Sequence, residues 1–181
     1  MEDLEIDETQ AKENYLILLF GSADSPIKSK IHLQKEMFIL SNSFPKMKEL
    51  FMFDKHRFGP WNEELEQIVE FPSFYDNPFN SENGKFYLTK EGKEIYNKLL
   101  KDNNDNINFQ YLLSGIKLVR AIYDKITPDE LMLLIYLEYP DFKINSEKYK
   151  ELVENKQKKR KLLNELLKKG IISEEKYKEY G

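Results

Sequence analysis

The stretch Lys30-Ile-His-Leu-Gln-Lys35 is followed along the chain by His56-Arg-Phe-Gly-Pro-Trp61 and then by Phe86-Tyr-Leu-Thr-Lys-Glu-Gly92. The first segment predicts a helix that carries basic and polar side chains. Gly59-Pro60 predicts the start of another helix, because proline presets the φ angle of the first helical residue. The third segment predicts a short strand that leads into a helix capped by Thr89. We therefore expect a mainly α fold (α+β), a winged helix-turn-helix with a helical C-terminal extension.

Length and composition limit the class of protein. The 181 residues are 40% hydrophobic, which is enough for a packed core. The absence of cysteine excludes disulfides, thiolate metal sites and cysteine nucleophiles. The sequence has neither a run of about 18 apolar residues nor a basic-then-apolar leader. We expect a cytoplasmic protein with no membrane partner.

Polar and turn-forming segments divide the chain into five predicted parts. Residues 1–10 form an acidic mobile tail, 11–101 the winged-helix domain, 102–110 a linker, 111–154 a helical extension and 155–181 a C-terminal helical hairpin. Thr127-Pro-Asp-Glu130 is a capping box and predicts a helix start. A long helix is predicted from Lys148 to Lys169, and Ser173 begins a last short one.

The formal net charge of −4 conceals two basic regions. Residues 28–61 hold seven bases and three acids, and residues 143–181 hold twelve bases and seven acids. A phosphate backbone responds to such a local patch more than to the total charge. Both regions are therefore candidates for contact with nucleic acid.

The predicted helix Lys30–Ser41 is amphipathic. Leu33, Met37, Leu40 and Phe44 form one apolar face, and the polar side chains project away from it. These polar residues are either phosphate contacts or ordinary solvated residues. The same alternatives apply to two residues on the following segment and to four near the C-terminus. The predicted nucleic-acid-binding residues are Lys28, Lys30, His32, Gln34, Lys35, Lys55, Arg57, Lys158, Lys159, Arg160 and Lys161.

Aromatic and leucine side chains form a second set of candidates. The segment Phe71–Gly84 is rich in Pro, Asn and Ser, so it is predicted to be a loop, and its aromatics either tuck beneath it or form a contact patch. The C-terminal leucines must pack on the body of the protein or on another copy. The predicted protein-binding residues are Phe74, Tyr75, Phe79, Leu162, Leu166 and Tyr177.

The sequence contains no pattern that is typical of an enzyme. No Gly-rich phosphate loop follows a strand, no nucleophile elbow occurs, and no His or carboxylate cluster has metal-ligand spacing. We expect no catalytic residues, no metal and no cofactor.

Three groups of motifs resemble known families. Leu33-Gln34-Lys35, Phe58-Gly59-Pro60-Trp61 and Phe86-x-Leu88-Thr89 resemble the YwgA-like winged-helix proteins, and more distantly the Panacea domain of SocA-like antitoxins. Tyr139-Pro140 with Asn145-Ser146 is similar to the helical extension of the YwgA-like group. Residues 162–177 resemble the SHOCT helical pair, a module associated with oligomerisation. The resemblance implies a winged helix with a regulatory or protein-controlling role.

Two functional hypotheses follow. The first is a DNA-binding protein of transcription regulation, a homodimer that contacts duplex DNA mainly through phosphates. Only three arginines occur, and arginine is the commonest reader of guanine. The second is an antitoxin-like or adaptor module that binds a protein partner and has no affinity for DNA.

Overall fold

The computed structural model describes residues 7–143 and 146–181. Residues 1–6 of the predicted acidic tail, and Asn145 of the Asn145-Ser146 motif, lie outside this range. The helices and strands in chain order are α1 (Glu8–Gly21), α2 (Lys30–Ser43), α3 (Pro45–Leu50), β1 (Asp54–His56), β2 (Gly59–Trp61), α4 (Glu64–Glu70), β3 (Phe79–Glu82), β4 (Lys85–Leu88), α5 (Lys90–Asp102), α6 (Ile107–Tyr123), α7 (Pro128–Glu138), α8 (Glu147–Tyr149), α9 (Lys156–Lys168) and α10 (Glu174–Tyr180). The mainly α prediction is confirmed.

Three predicted helix starts are confirmed by their capping hydrogen bonds. The Ser29 hydroxyl accepts a hydrogen bond from the backbone N–H of His32 at the start of α2. The Thr89 hydroxyl accepts one from Gly92 N–H at the start of α5. Thr127 and Glu130 form the reciprocal capping box of α7. A short side chain that satisfies an unpaired N–H of the first turn fixes where each helix begins.

Two predicted helix boundaries are wrong. Gly59 and Pro60 do not begin a helix: they lie in β2, which pairs antiparallel with β1, and Gly59 has a φ of 76° in the turn. The predicted helix Lys148–Lys169 is interrupted, because a π-helical turn at Lys150–Glu154 ends at Asn155. The Asn155 side chain then caps α9. In the predicted tail, residues 8–10 already belong to α1.

A second hairpin replaces part of the predicted loop Phe71–Gly84. Strands β3 and β4 are antiparallel, with Glu82 opposite Lys85. Asn83 and Gly84 between them have φ angles of 52° and 73°. A two-residue turn with both φ angles positive matches the twist of a hairpin. Ile27, just before α2, pairs with Phe86 of β4 through two backbone hydrogen bonds of 2.9 and 3.0 Å.

Helix α2 lies at the centre of the protein and packs on α3, α6, α7 and β2. One hydrophobic cluster joins α1 and α2 to the strand Lys85–Leu88 and to the inner face of α6. A second cluster joins α7 to α9 and α10. The C-terminal helical pair therefore packs on the body of its own chain, and Leu166, predicted to bind a partner, is fully buried there.

Candidate functional site

The structure corrects the predicted role of three polar residues of α2. His32, Gln34 and Lys35 are buried, so they cannot contact phosphates. The His32 ring nitrogens lie 2.9 Å from Ser29 Oγ and 3.1 Å from the Ile126 carbonyl oxygen. Burial lowers the pKa of His32, which favours the neutral ring. His32 thus connects α2 to the start of α7.

Gln34 and Lys35 attach β2 and the start of α4 to α2. The Gln34 amide donates to the Asn62 carbonyl and accepts from the Asn62 N–H, both at 2.8 Å. Lys35 Nζ donates to the Pro60 carbonyl at 2.7 Å and lies 5.1 Å from the centre of the Trp61 ring. Burial lowers the pKa of Lys35 to about 7. These hydrogen bonds explain why polar side chains occupy an interior helix face.

The two exposed lysines at the start of α2 are already engaged within the chain. Lys28 donates to the Asp124 carbonyl, and Lys30 forms an ion pair with Glu66 of α4. Exposed pairs of this kind contribute little to stability. Lys30 therefore already has an acid beside it, and Lys28 is occupied by a backbone carbonyl.

A buried charged cluster lies between α2 and α6. The Arg120 guanidinium donates to the Leu19 carbonyl at 3.0 Å and to Asp124 at 3.0 Å, and it lies 3.7 Å from the Glu36 carboxylate. Both Glu36 oxygens lack a hydrogen-bond partner within the described part of the chain. Burial raises the pKa of Glu36 to about 8 even though Arg120 opposes the shift. The cluster joins helices in the core and is not open to a ligand.

We expect Glu36→Gln to remove a pH dependence of stability. The folded state raises the pKa of Glu36 from its ordinary 4.5 to about 8, so the folded protein keeps a proton that the unfolded chain loses. The free energy of unfolding of the wild type is therefore highest below pH 4.5 and falls as the pH rises to about 8. Each pKa unit is worth about 1.4 kcal/mol. The free energy of unfolding of the variant, relative to that of the wild type, should therefore be a few kcal/mol higher at pH 9 than at pH 5. Denaturant unfolding at both pH values measures this. Parallel pH profiles for wild type and variant would contradict it, and the exposed Glu94→Gln is the control.

The basic side of α9 is partly free. Lys158 pairs with Asp129 at 2.9 Å and with Glu151, whose pKa falls to about 2 through hydrogen bonds from Lys148 and Lys158. Within residues 7–143 and 146–181, Lys156, Lys159, Arg160 and Lys161 form no ion pair. Of the four predicted residues on this helix, Lys158 is therefore occupied and the other three are available.

Lys55 and Arg57 lie exposed on the β1–β2 hairpin. The Arg57 guanidinium lies 4.9 Å from the centre of the Phe58 ring. The backbone carbonyl of Arg57 accepts hydrogen bonds from Ser146 Oγ at 3.0 Å and from Glu147 N–H at 3.1 Å. The hairpin is thus attached to the start of α8. The other predicted basic residues lie on α9, which packs on α7.

The loop between α4 and β3 (residues 71–78), which we call the aromatic loop, is fixed to α1 by one buried carboxylate. Glu13 accepts hydrogen bonds from the backbone N–H groups of Ser73, Phe74 and Tyr75 at 2.7 to 2.9 Å. The Tyr75 hydroxyl donates to Asn14 at 2.8 Å. A carboxylate that accepts several N–H groups forms strong, charge-assisted hydrogen bonds. The loop is therefore held in one position.

The predicted protein-binding aromatics do not share one environment. Phe79 is buried in β3, 5.3 Å from the Phe20 ring centre, and Tyr75 is half-buried, so both are tucked. Phe74 is 44% exposed, and Phe71, which we did not predict as a site residue, is 75% exposed. Leu162 and Tyr177 are half-buried against the second cluster. Phe74 is the member of the predicted set that faces solvent most clearly.

Four glutamates lie on or directly before α4, the helix that Phe71 follows in the chain. Leu65 and Val69 of α4 point into the core, and the glutamates occupy its outer side or its N-cap position. Lys12 pairs with Glu64 at 2.7 Å, and Lys30 pairs with Glu66. We call this region the acidic–aromatic surface, and it consists of Glu63, Glu64, Glu66, Glu70, Phe71 and Phe74.

Comparison with protein-family models, with curated proteins and with solved structures found no match. The resemblance to YwgA-like proteins, the Panacea domain and SHOCT therefore stays a prediction. No helix among the described residues is long and apolar enough to cross a membrane. In that same part of the chain, no group of three or more His, Asp or Glu side chains is placed to hold a metal ion.

Proposed function

We propose that this chain is a winged-helix protein in which the DNA-facing helix has become a protein-binding surface. The order α1, the Ile27 bridge, α2, α4 and the β3–β4 hairpin supports the winged-helix arrangement, with α3 and the β1–β2 hairpin inserted between the two helices. In a helix-turn-helix protein the second helix enters the major groove. Helix α4 has that position in the chain order.

The proposal rests on the negative charge of α4. The helix Glu64–Glu70 contains three glutamates and no base, and Glu63 precedes it. Duplex DNA presents a dense row of phosphate charges, and proteins that bind it neutralise them with Lys and Arg. Helix α4 would repel that backbone. Glu64 and Glu66 are already paired with Lys12 and Lys30, whereas Glu63 and Glu70 form no ion pair within the described residues and would attract a cationic protein segment.

The exposed phenylalanines supply the apolar part of the surface. Phe74 projects from the loop that Glu13 fixes, and the Phe71 backbone is held by its hydrogen bond to Gln67 at the end of α4, so ordering these segments costs little on binding. Aromatic residues are enriched at the centres of protein interfaces, where they contribute most of the affinity. The partner that fits is a protein segment with basic and apolar side chains, which agrees with an antitoxin-like or adaptor module.

Reversal of charge on this surface is expected to abolish partner capture. In an affinity capture with cross-linking and mass spectrometry, wild-type protein should retain a partner that Glu63→Lys/Glu70→Lys loses. Glu63 and Glu70 form no ion pair in the described part of the chain, so the fold should be kept. Glu91→Lys/Glu94→Lys on α5 carries the same charge change elsewhere and should retain the partner. Equal capture by both variants would overturn the proposal.

The free basic side of α9 favours a second candidate function. Lys156, Lys159, Arg160 and Lys161 lie within two turns of one helix, and none forms an ion pair in the part of the chain that the structure describes. Such a surface can hold phosphates without reading bases. In this alternative, a nucleic acid contacts α9, and neither α2 nor α4 takes part.

A further inference from the structure

A cavity of about 760 Å³ is formed by the first half of α9, the π-helical turn before it and α10. Lys156, Lys159, Arg160 and Leu163 of α9 line it. Their spacing of i, i+3, i+4 and i+7 places all four on one face of the helix. Small-molecule sites have volumes of about 300–1,000 Å³, so this cavity is large enough to hold a ligand of that class.

Three residues of the lining offer an apolar surface. Leu163 is buried, and Val153 and Tyr177 are half-buried in the same hydrophobic cluster. The Tyr177 hydroxyl forms no hydrogen bond with any residue that the structure describes, so it is free to donate one to a ligand. Ligand pockets commonly combine apolar side chains with a few polar groups in this way.

Most of the other residues of the lining are cationic. Among residues 7–143 and 146–181, neither Lys156, Lys159 nor Arg160 forms an ion pair, and Glu154 of the same lining pairs with none of them. The cations outnumber the acids even when a carboxylate at Gly181 is counted. A concave surface with an excess of one charge concentrates ions of the opposite sign. The lining is therefore complementary to an anion.

We propose that this cavity binds a small amphipathic anion, a molecule that carries a phosphate or carboxylate group on an apolar chain or ring. Lysine and arginine form charge-assisted hydrogen bonds with both groups, so the three cations of α9 hold the anionic end. The apolar end lies on the buried and half-buried residues of the lining, where it is removed from water. The acidic–aromatic surface takes no part in this site.

Calorimetric titration of the full chain with octyl phosphate tests the site. Wild type should bind octyl phosphate at least about tenfold more tightly than inorganic phosphate or octanol, because each of these engages only one half of the lining. Nuclear magnetic resonance signals of Val153, Leu163 and Tyr177 should shift during the titration. Titration with octanoate and with phenyl phosphate then shows which anionic group and which apolar body the cavity prefers.

A pair of charge-matched variants makes the test specific. Lys159→Gln/Arg160→Gln should weaken the binding of octyl phosphate by about tenfold or more. Lys98→Gln/Lys101→Gln removes the same charge from exposed positions on α5 and should bind as wild type does. Equal affinity of the two variants would overturn the inference. It would also be overturned if wild type bound no octyl phosphate, or bound inorganic phosphate equally well.

Two outcomes separate this site from the functions proposed above. Glu63→Lys/Glu70→Lys should bind octyl phosphate as wild type does, so loss of partner capture leaves the cavity intact. If wild type bound no octyl phosphate but bound a labelled duplex through Lys159 and Arg160, the inference would be overturned, and this side of α9 would be a nucleic-acid surface.

Discussion

Arg120→Met is expected to lower the free energy of unfolding by about 3–5 kcal/mol, the range for breaking a buried ion pair by removing one partner. The substitution removes the hydrogen bonds to the Leu19 and Ser25 carbonyls and the ion pair with Asp124. It also removes the cation that most strongly opposes the desolvation of Glu36, with Lys28 contributing less. The methionine chain fills much of the space, so the loss reflects polar contacts and not a cavity. Denaturant unfolding at pH 7 measures it.

Two further variants make the Arg120 result specific. Arg57→Met alters an exposed arginine and should change stability by less than about 0.5 kcal/mol. Adding Glu36→Met to Arg120→Met removes the buried carboxyl as well and should recover part of the loss. If Arg120→Met lowers the free energy of unfolding no more than Arg57→Met does, the charged cluster does not hold α6 on α2.

Glu13→Ala is expected to cost about 3 kcal/mol and to reduce partner capture. Three backbone N–H groups of the aromatic loop lose their acceptor, and a buried donor left unsatisfied costs about 1–3 kcal/mol. The exposed part of the loop can turn toward water, so the total is less than three full losses. Hydrogen exchange should show Ser73–Tyr75 unprotected, and capture should fall because Phe74 is no longer fixed.

A graded series of variants checks the role of Glu13. Glu13→Gln keeps the oxygen that can accept from Ser73 and Phe74 but places an NH₂ against Tyr75 N–H, so it should lose less than Glu13→Ala. Glu8→Ala, exposed on the same helix, should be near neutral. Retained protection of the loop in Glu13→Ala would contradict the account.

Local signals predicted the helix starts, and one turn signal was overlooked. Ser29, Thr89 and Thr127 each satisfy an N–H of the first helical turn, which is a property of a few neighbouring residues. Asn83-Gly84 is the strongest short-range signal for a hairpin, and it could have placed β3 in what we took for a loop. Asn155 similarly signals a new helix start within the predicted long helix.

The environment of α2 could not be read from its own sequence. The spacing of Leu33, Met37 and Leu40 identifies one buried face and predicts that Gln34 and Lys35 lie on a solvated one. That second face is covered by β2 and the start of α4, whose carbonyls satisfy both side chains. Contacts between segments about 25 residues apart decide this burial, and periodicity does not report them. The same limit applies to Glu13 and its loop.

Fluorescence anisotropy of a labelled mixed-sequence duplex tests most directly whether this chain binds protein and not DNA. The account predicts no saturable change even at low salt, because His32, Gln34 and Lys35 of α2 are buried and α4 is acidic. Micromolar binding that weakens steeply with salt would contradict it. If Lys159→Glu/Arg160→Glu abolished that binding, α9 would be the site and nucleic acid the ligand.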